Sequence, residues 1–195
     1  MNSTQSGPEH SAAAPPPPEA QLAGKYMTFR LANETYGVAI LKVRELIRLM
    51  EITRVPGTRS FIRGVINLRG KVIPVVDLRM KFGMERLQAT DQTVIIVVQY
   101  RFHDQELTMG TLVDEVLEVL DIRAENIEPP PNFGTGAIDT DFILGVGKAD
   151  RRVIFLLDID KVLSSEEHRE LREAAAEQRQ QQPVGEEASH EHANA

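Results

Sequence analysis

The sequence predicts a mainly β protein built from two small barrels, on the basis of three observations. Apolar and polar residues alternate with period two on either side of short polar breaks, which is the pattern of β-hairpins. Two segments, 93–100 and 152–157, are almost continuously apolar, as in strands that are covered on both faces. A weak internal repeat of roughly 70 residues indicates two similar units. Short strands with little helix favour barrels over a helix-covered parallel sheet.

The first hairpin is predicted where residues 26–31 and 35–40 alternate on either side of a polar turn at 32–34. The next stretch, 43–50, is left open between strand and helix. The reason is the helical spacing of its apolar residues, which are Val43, Leu46, Ile47 and Met50.

A second hairpin is predicted over residues 65–73, and its tip carries Asn67, Arg69 and Gly70. The planar donors of an arginine at a rigid turn suit recognition of carboxylates or carbonyls across an interface. Asn and Gly are also the residues that a tight turn requires for backbone reasons alone. The two interpretations are compatible.

The internal repeat has two matching parts in the same order. Gly64-Val65 leads into a strand that ends at Asp77, and Gly145-Val146 leads into one that ends at Asp158. Upstream, one spacing occurs twice, first in Gly37, Val43 and Glu45 and then in Gly110, Val116 and Glu118. A unit of this size is marginal alone, so the two units are expected to bury a shared seam.

The chain divides into four regions, which are a disordered N-terminal tail over 1–21, a first barrel over 22–88, a second barrel over 89–163, and a C-terminal helix with a disordered acidic tail over 164–195. Ser164 stands three residues before Glu167, which is the spacing of a capping box. Leu171 and residues 174–176 extend this into a predicted solvated helix.

The composition excludes several classes of protein. The chain has no cysteine, which removes disulfides, a thiolate nucleophile and Cys-ligated metal sites. It lacks tryptophan and has only 5% aromatic residues, too few for a base-stacking platform. No signal peptide or membrane span is visible, so a cytoplasmic protein is expected. No phosphate-binding loop or metal motif occurs, so we expect no cofactor and no metal.

Catalysis is not expected, although two features invite the hypothesis. His103 is a lone histidine in a predicted hairpin loop, where a solvated surface role is usual. Asp77 and Asp158 end equivalent strands and could form a paired-carboxylate hydrolase site. A carboxylate just past a strand commonly caps the next turn, and duplication explains why there are two. We therefore predict no catalytic residues.

Charge is distributed unevenly along the chain. Residues 42–86 contain 11 basic and 4 acidic side chains, whereas residues 87–163 contain 6 basic and 14 acidic ones. The basic segment raises the alternative hypothesis of a nucleic-acid-binding β-barrel that uses this 42–86 face. The net charge of −7 and the lack of interleaved aromatic residues favour a solvated or protein-binding face instead.

The sequence resembles the CheW-type chemotaxis coupling proteins over residues 25–165. The most specific motif is the Asn-Leu-Arg-Gly tip at 67–70 with its flanking strands. The other matching stretches are 36–45, 72–79, 110–116 and 127–131.

The resemblance implies two SH3-like five-stranded barrels side by side. It also implies a non-catalytic adaptor that joins the cytoplasmic tip of a chemoreceptor to a CheA-type histidine kinase, and that is recruited to receptor arrays at the membrane. By position, the residues that line or shape the receptor surface are Val43, Gly64, Arg69, Gly110 and Val119. Glu45 is placed on the kinase-binding face, and the second barrel would meet another kinase regulatory domain.

Two features depart from the family pattern. The loop 101–106 is expected to be longer than the compact turn of the family, and both tails are long. Either feature could alter the choice of partner, including toward a chemosensory system that does not drive flagella.

Overall fold

A computed structural model describes residues 21–86, 88–130, 141–149 and 151–181. The predicted N-terminal tail 1–21 lies outside these ranges except for its last residue, and residues 182–195 of the predicted C-terminal tail also lie outside them. The elements are β1 Gly24–Leu31, β2 Glu34–Ala39, β3 Val43–Arg48, β4 Ile62–Leu68, β5 Lys71–Asp77, α1 Leu78–Lys81, β6 Val94–Phe102, β7 Gln105–Val113, β8 Glu115–Ile122, β9 Ile127–Glu128, β10 Ile143–Ala149, β11 Arg152–Leu157 and α2 Ser165–Gln181.

The strands form two curled sheets, which confirms the mainly β, barrel-like prediction. Sheet A has the order β8-β1-β2-β11-β10-β9, and sheet B has the order β3-β6-β7-β5-β4. Sheet A contains a sixth strand because the two-residue β9 pairs with β10. Sheet B curls until Thr53, just beyond β3, bridges to Val65 on β4.

Both predicted hairpins are present. β1 and β2 pair antiparallel around a turn at Ala32 and Asn33. β4 and β5 pair around Arg69 and Gly70, whose φ angles are +53° and +81°. Two consecutive positive φ angles match the right-handed twist of the flanking strands, so this turn suits a tight hairpin. The Asn67 side chain fixes the turn further by accepting the Gly70 N–H at 2.9 Å.

The two repeats exchange strands. β2 runs parallel to β11, with Gly37 opposite Leu156, and β7 runs parallel to β5, with Gly110 opposite Val75. Sheet A therefore combines β1 and β2 of the first repeat with β8, β9, β10 and β11 of the second, and sheet B combines β6 and β7 of the second repeat with β3, β4 and β5 of the first. The predicted boundary between 88 and 89 divides the repeats but does not divide the sheets. Strands β1 and β2 belong to sheet A together with β8 to β11, because β1 pairs with β8 and β2 pairs in parallel with β11.

The internal repeat is visible in backbone geometry. Asp77 donates its N–H to the Phe61 carbonyl at 2.8 Å, and Asp158 donates to the Phe142 carbonyl at 2.7 Å. The register of each strand pair shifts at the same place, just before Gly64 in β4 and just before Gly145 in β10. The sequence match therefore corresponds to a structural duplication.

The sheets bury one shared core, as the marginal size of each repeat predicts. Sheet A contributes Phe29, Leu31 and Val38, while sheet B contributes residues such as Val76 and Ile96, and all five are at most 2% exposed. The seam between the sheets is therefore part of the folding core rather than a contact between independent domains.

Two local expectations need correction or completion. Segment 43–48 is a strand, because Glu45 and Ile47 are half-buried while Leu46 between them is 44% exposed, so burial alternates with period two. The segment 101–106 is not a long loop. β6 and β7 continue to Phe102 and Gln105, and only a two-residue turn joins them.

The C-terminal helix α2 begins with the predicted capping box. Ser164 Oγ accepts the Glu167 N–H at 3.3 Å, and a Glu167 carboxylate oxygen accepts the Ser164 N–H at 2.7 Å. The helix is not fully solvated, however. Leu171 and Ala174 are buried, and Ala174 packs with Val55 in the apolar cluster under the helix. Small alanine side chains let the helix approach sheet B closely.

Candidate functional site

The tip of the β4–β5 hairpin presents an arginine to solvent. The Arg69 side chain is 79% exposed, and its Nη2 lies 2.9 Å from the Glu45 carboxylate, which is 28% exposed. Glu45 comes from β3, at the opposite edge of sheet B. An ion pair at this exposure adds little stability, so its geometry matters more for recognition than for folding.

Three other predicted residues lie along one line across sheet B. Reading across the sheet, Gly64 is opposite Val75 and Val75 is opposite Gly110. The line continues through Val97 on β6 to Glu45 on β3, and Val43 lies two residues before Glu45 on β3, opposite Val98. The structure therefore brings together four of the five residues predicted to face a receptor, with the predicted kinase-binding Glu45 among them.

The two glycines in this line are buried. A Cβ on Gly64 would lie 2.0 Å from the Thr53 carbonyl oxygen, and the φ of Gly64 is +133°. A Cβ on Gly110 would lie 2.7 Å from the Ile95 side chain. Both positions need glycine for close packing. Their geometry favours a shaping role rather than direct contact with a partner.

Val119 lies elsewhere. It is on β8, the edge strand of sheet A, opposite Met27 of β1, and it is 47% exposed. The predicted receptor residues are thus divided between the two sheets.

Sheet A contains a counterpart of the hairpin ion pair. Glu118 on β8 pairs with Arg152 at the start of β11 at 2.6 Å. Glu118 is the repeat equivalent of Glu45, and Arg152 follows the turn that corresponds to the one carrying Arg69. The duplication therefore gives each sheet a glutamate on its edge strand that is bonded to an arginine of a hairpin.

A groove of about 950 Å³ runs beside the Arg69–Glu45 pair. One wall is the β4–β5 hairpin, and the other is the face of α2 that carries Arg172 and Ala176. The sequence did not indicate this groove, because the residues on its two walls are about a hundred positions apart.

A second polar cluster occupies the point where the chain crosses from sheet B to sheet A. Asp114 separates β7 from β8. Its carboxylate accepts a charge-assisted hydrogen bond from Arg79 at 2.6 Å and the Ala32 N–H at 2.7 Å. Arg79 is buried and also donates to the Glu85 carbonyl. The cluster ties the crossover to the first hairpin of sheet A.

The two strand-end aspartates act as caps. Asp77 Oδ1 accepts the Met80 N–H at the start of α1, and the other oxygen accepts from Arg63 at 3.0 Å. Asp158 Oδ1 accepts the Asp160 N–H at 3.2 Å. Each carboxylate is thus used in its own turn, as the capping interpretation predicts.

Among the residues that the structure describes, His103 has no arrangement of neighbours that indicates catalysis. His103 occupies the two-residue turn between β6 and β7, with its ring against Phe102. Within the ranges that the structure describes, no group of three His, Cys, Asp or Glu residues could hold a metal ion. No helix of that part of the chain is long and apolar enough to cross a membrane.

His168 on α2 is a buried residue that the sequence analysis missed. Its ring stacks on Phe102 at 3.6 Å between centroids, and Nδ1 lies 3.1 Å from the Tyr100 hydroxyl oxygen. Burial lowers the pKa of His168, and the nearby charges of Arg172 and His103 add to this. Burial also raises the pKa of Tyr100 to about 12. The helical spacing of His168, Leu171 and Ala175 was the available signal.

The positive charge of the 42–86 segment is partly neutralised within the fold. Six of its 11 basic residues make ion pairs with carboxylates, namely Lys42, Arg59, Arg63, Arg69, Arg79 and Lys81. Four of these pairs use acidic residues from beyond position 113, so the basic and acidic regions pair with each other. This leaves less free positive charge for phosphates than the sequence suggests, and no feature of the described residues supports the nucleic-acid alternative.

Comparison with known proteins gives consistent results. Residues 25–167 match the family model of the CheW-like domain. The chain is 39% identical to the chemotaxis protein CheW of Klebsiella aerogenes over 76% of this chain and 89% of that protein. It is 34% identical to the chemotaxis protein CheW of Bacillus subtilis over 76% of this chain and 92% of that protein. Protein FrzA of Myxococcus xanthus is 30% identical over 83% of this chain and 96% of that protein.

The fold has a solved counterpart. The crystal structure of the scaffolding protein TtCheW from Thermoanaerobacter tengcongensis superposes with a TM-score of 0.65 at 38% identity, covering 74% of this chain and 95% of that one. The chain belongs to the CheW-like family, a family of chemotaxis scaffold proteins.

Proposed function

We propose that this protein is a non-catalytic adaptor that couples the cytoplasmic tips of chemoreceptors to a CheA-type histidine kinase. In this role it is a cytoplasmic protein recruited to receptor arrays at the membrane. The observation that supports this most directly is the Arg69–Glu45 pair, which presents an exposed arginine beside a half-buried carboxylate at the tip of a hydrogen-bonded hairpin turn. Such preorganised polar groups suit protein recognition.

The proposed receptor surface consists of Val43, Gly64, Arg69, Gly110 and Val119. In this proposal Arg69 and Val119 make contact, because they are exposed, while Gly64 and Gly110 set the shape of the sheet. Glu45 belongs to the proposed kinase surface. Since Arg69 and Glu45 are hydrogen-bonded, the two surfaces meet at one ion pair.

This meeting point has a physical consequence. A receptor that engages Arg69 competes with Glu45 for its guanidinium, so the kinase-facing carboxylate changes its environment when the receptor binds. A coupling of this kind is reciprocal, because each partner must change the affinity for the other by the same factor. The adaptor also raises the effective concentration of kinase near receptor without any new chemistry.

The experiment measures binding of the purified protein to an immobilised receptor cytoplasmic fragment. Arg69→Glu is expected to weaken binding about tenfold or more, because a charge-assisted contact contributes roughly 1.5–3 kcal/mol. Arg123→Glu is the matched control, since the side chain of Arg123 is also 79% exposed and also pairs with a glutamate. Equal binding by both variants would contradict the proposal.

A charge-swap variant distinguishes direct contact of Arg69 with the receptor from a structural role of the ion pair in the hairpin. Arg69→Glu combined with Glu45→Arg retains opposite charges across the 2.9 Å contact but exchanges their places. If the receptor recognises the arginine at the tip, the double variant stays weak. Full recovery of binding would show that the pair only holds the hairpin in place, and would remove Arg69 from the contact surface.

A further inference from the structure

The groove beside the hairpin has a fixed second wall. The Lys81 ammonium contacts both Glu167 carboxylate oxygens at 2.6 Å, and both side chains are largely buried. Arg59 reaches α2 at Glu166 and Glu170, each at 2.9 Å. These ion pairs, together with the buried Leu171, hold α2 against sheet B. The groove wall formed by α2 is therefore part of the folded body.

The groove combines apolar and cationic groups. Its apolar lining includes Leu68, Pro74, Leu107 and Ala175. Four cations and two carboxylates line it, and these are Arg44, Arg69, Lys71, Arg172, Glu45 and Glu106. The groove therefore has an excess of positive charge.

Two of these cations are uncompensated. Arg44 and Lys71 are exposed, and neither makes an ion pair with any residue that the structure describes. Arg172 is also exposed, and it donates a hydrogen bond to the amide oxygen of Gln105 at 3.3 Å. This charge pattern is complementary to a segment that carries carboxylates as well as apolar side chains.

The groove is continuous with the proposed receptor surface, because Arg69 belongs to both. We propose that the receptor segment that contacts Arg69 continues along this groove as an acidic, partly apolar stretch, and that α2 is a second binding element for it. Arg172 and Ala176 on α2 are the residues assigned to this contact. The inference rests on the proposed adaptor function and adds a helix to the binding surface.

The test compares variants of the full chain for binding to the same receptor cytoplasmic fragment. Arg172→Glu is expected to raise the Kd about five- to tenfold, because it replaces an attraction by a repulsion at an exposed site. The effect should shrink in high salt, where exposed charges are screened. Arg169→Glu is the matched control, since Arg169 is exposed on the same helix and does not line the groove.

The outcomes separate this inference from the proposed function. Loss of binding with Arg69→Glu together with an unchanged Kd for Arg172→Glu and Ala176→Glu would overturn the inference and leave the adaptor function standing. An equal weakening by Arg169→Glu would also overturn it. So would groove-dependent binding of duplex DNA without receptor binding, or a groove that binds the receptor only after residues 182–195 are deleted.

Discussion

Replacing Gly64 by alanine tests whether this residue acts through the fold. Gly64 has φ +133°, and an added Cβ would meet the Thr53 carbonyl oxygen at 2.0 Å. That carbonyl accepts the Val65 N–H at 2.9 Å, and Thr53 donates back to Val65 at the same distance. The clash is with backbone, so no side chain can rotate away. Relief requires separating residue 53 from β4.

The expected loss in the free energy of unfolding is the sum of the backbone strain and the lost hydrogen bonds. A non-glycine residue in a sparsely populated backbone region costs about 1–3 kcal/mol. Losing two backbone hydrogen bonds costs about 0.5–1.5 kcal/mol each. Gly64→Ala is therefore expected to lower the free energy of unfolding by about 2–6 kcal/mol. For a chain of this size that corresponds to a fall in Tm of roughly 5–20 °C.

The assay is urea unfolding, with receptor binding measured in parallel at low temperature. Gly70→Ala is the comparison, because Gly70 also has a positive φ of +81° but an added Cβ there meets nothing within 4 Å. It should cost only about 1 kcal/mol. If Gly64→Ala unfolds like the wild type, the packing argument is wrong. If it keeps native stability but loses receptor binding, Gly64 is a contact residue instead.

Two further predictions concern groups that the sequence did not single out. Arg79→Ala should lower the free energy of unfolding by about 3 kcal/mol, because it leaves Asp114 without its ion-pair partner at the crossover. A free energy of unfolding within about 0.5 kcal/mol of the wild-type value, which is the usual scatter of surface substitutions, would contradict this. His168, whose pKa is lowered from 6.5 first by burial and then by Arg172 and His103, should make stability fall as the pH drops below 6.5, since the unfolded chain takes up the proton first. His168→Gln should flatten that slope between pH 7 and 5, and an unchanged slope would refute the assignment.

Local features were predictable from the sequence. The hairpin tip at 67–70 was recognisable from Asn67 and Gly70, because glycine tolerates the φ of +81° at position 70 and the Asn67 side chain accepts the Gly70 N–H. The capping box of Ser164 and Glu167 was recognisable from spacing alone. The duplication was visible because two sets of residues recur in the same order.

Longer-range features were not predictable. The strand exchange was missed because both repeats offer equivalent edges, and local pattern does not say which copy a strand will join. The buried face of α2 was missed because Ala174 and His168 do not resemble a typical apolar stripe. Arg79 and Asp114 are 35 residues apart, so nothing local links them.

The central claim is that one molecule binds receptor and kinase at the same time through two adjoining surfaces. The most direct measurement is capture of a purified kinase regulatory domain on an immobilised receptor fragment, with and without this protein. The account predicts that the kinase is retained only when the protein is present, and that Glu45→Lys abolishes kinase retention while the protein itself stays bound. Mutually exclusive binding of kinase and receptor would contradict it.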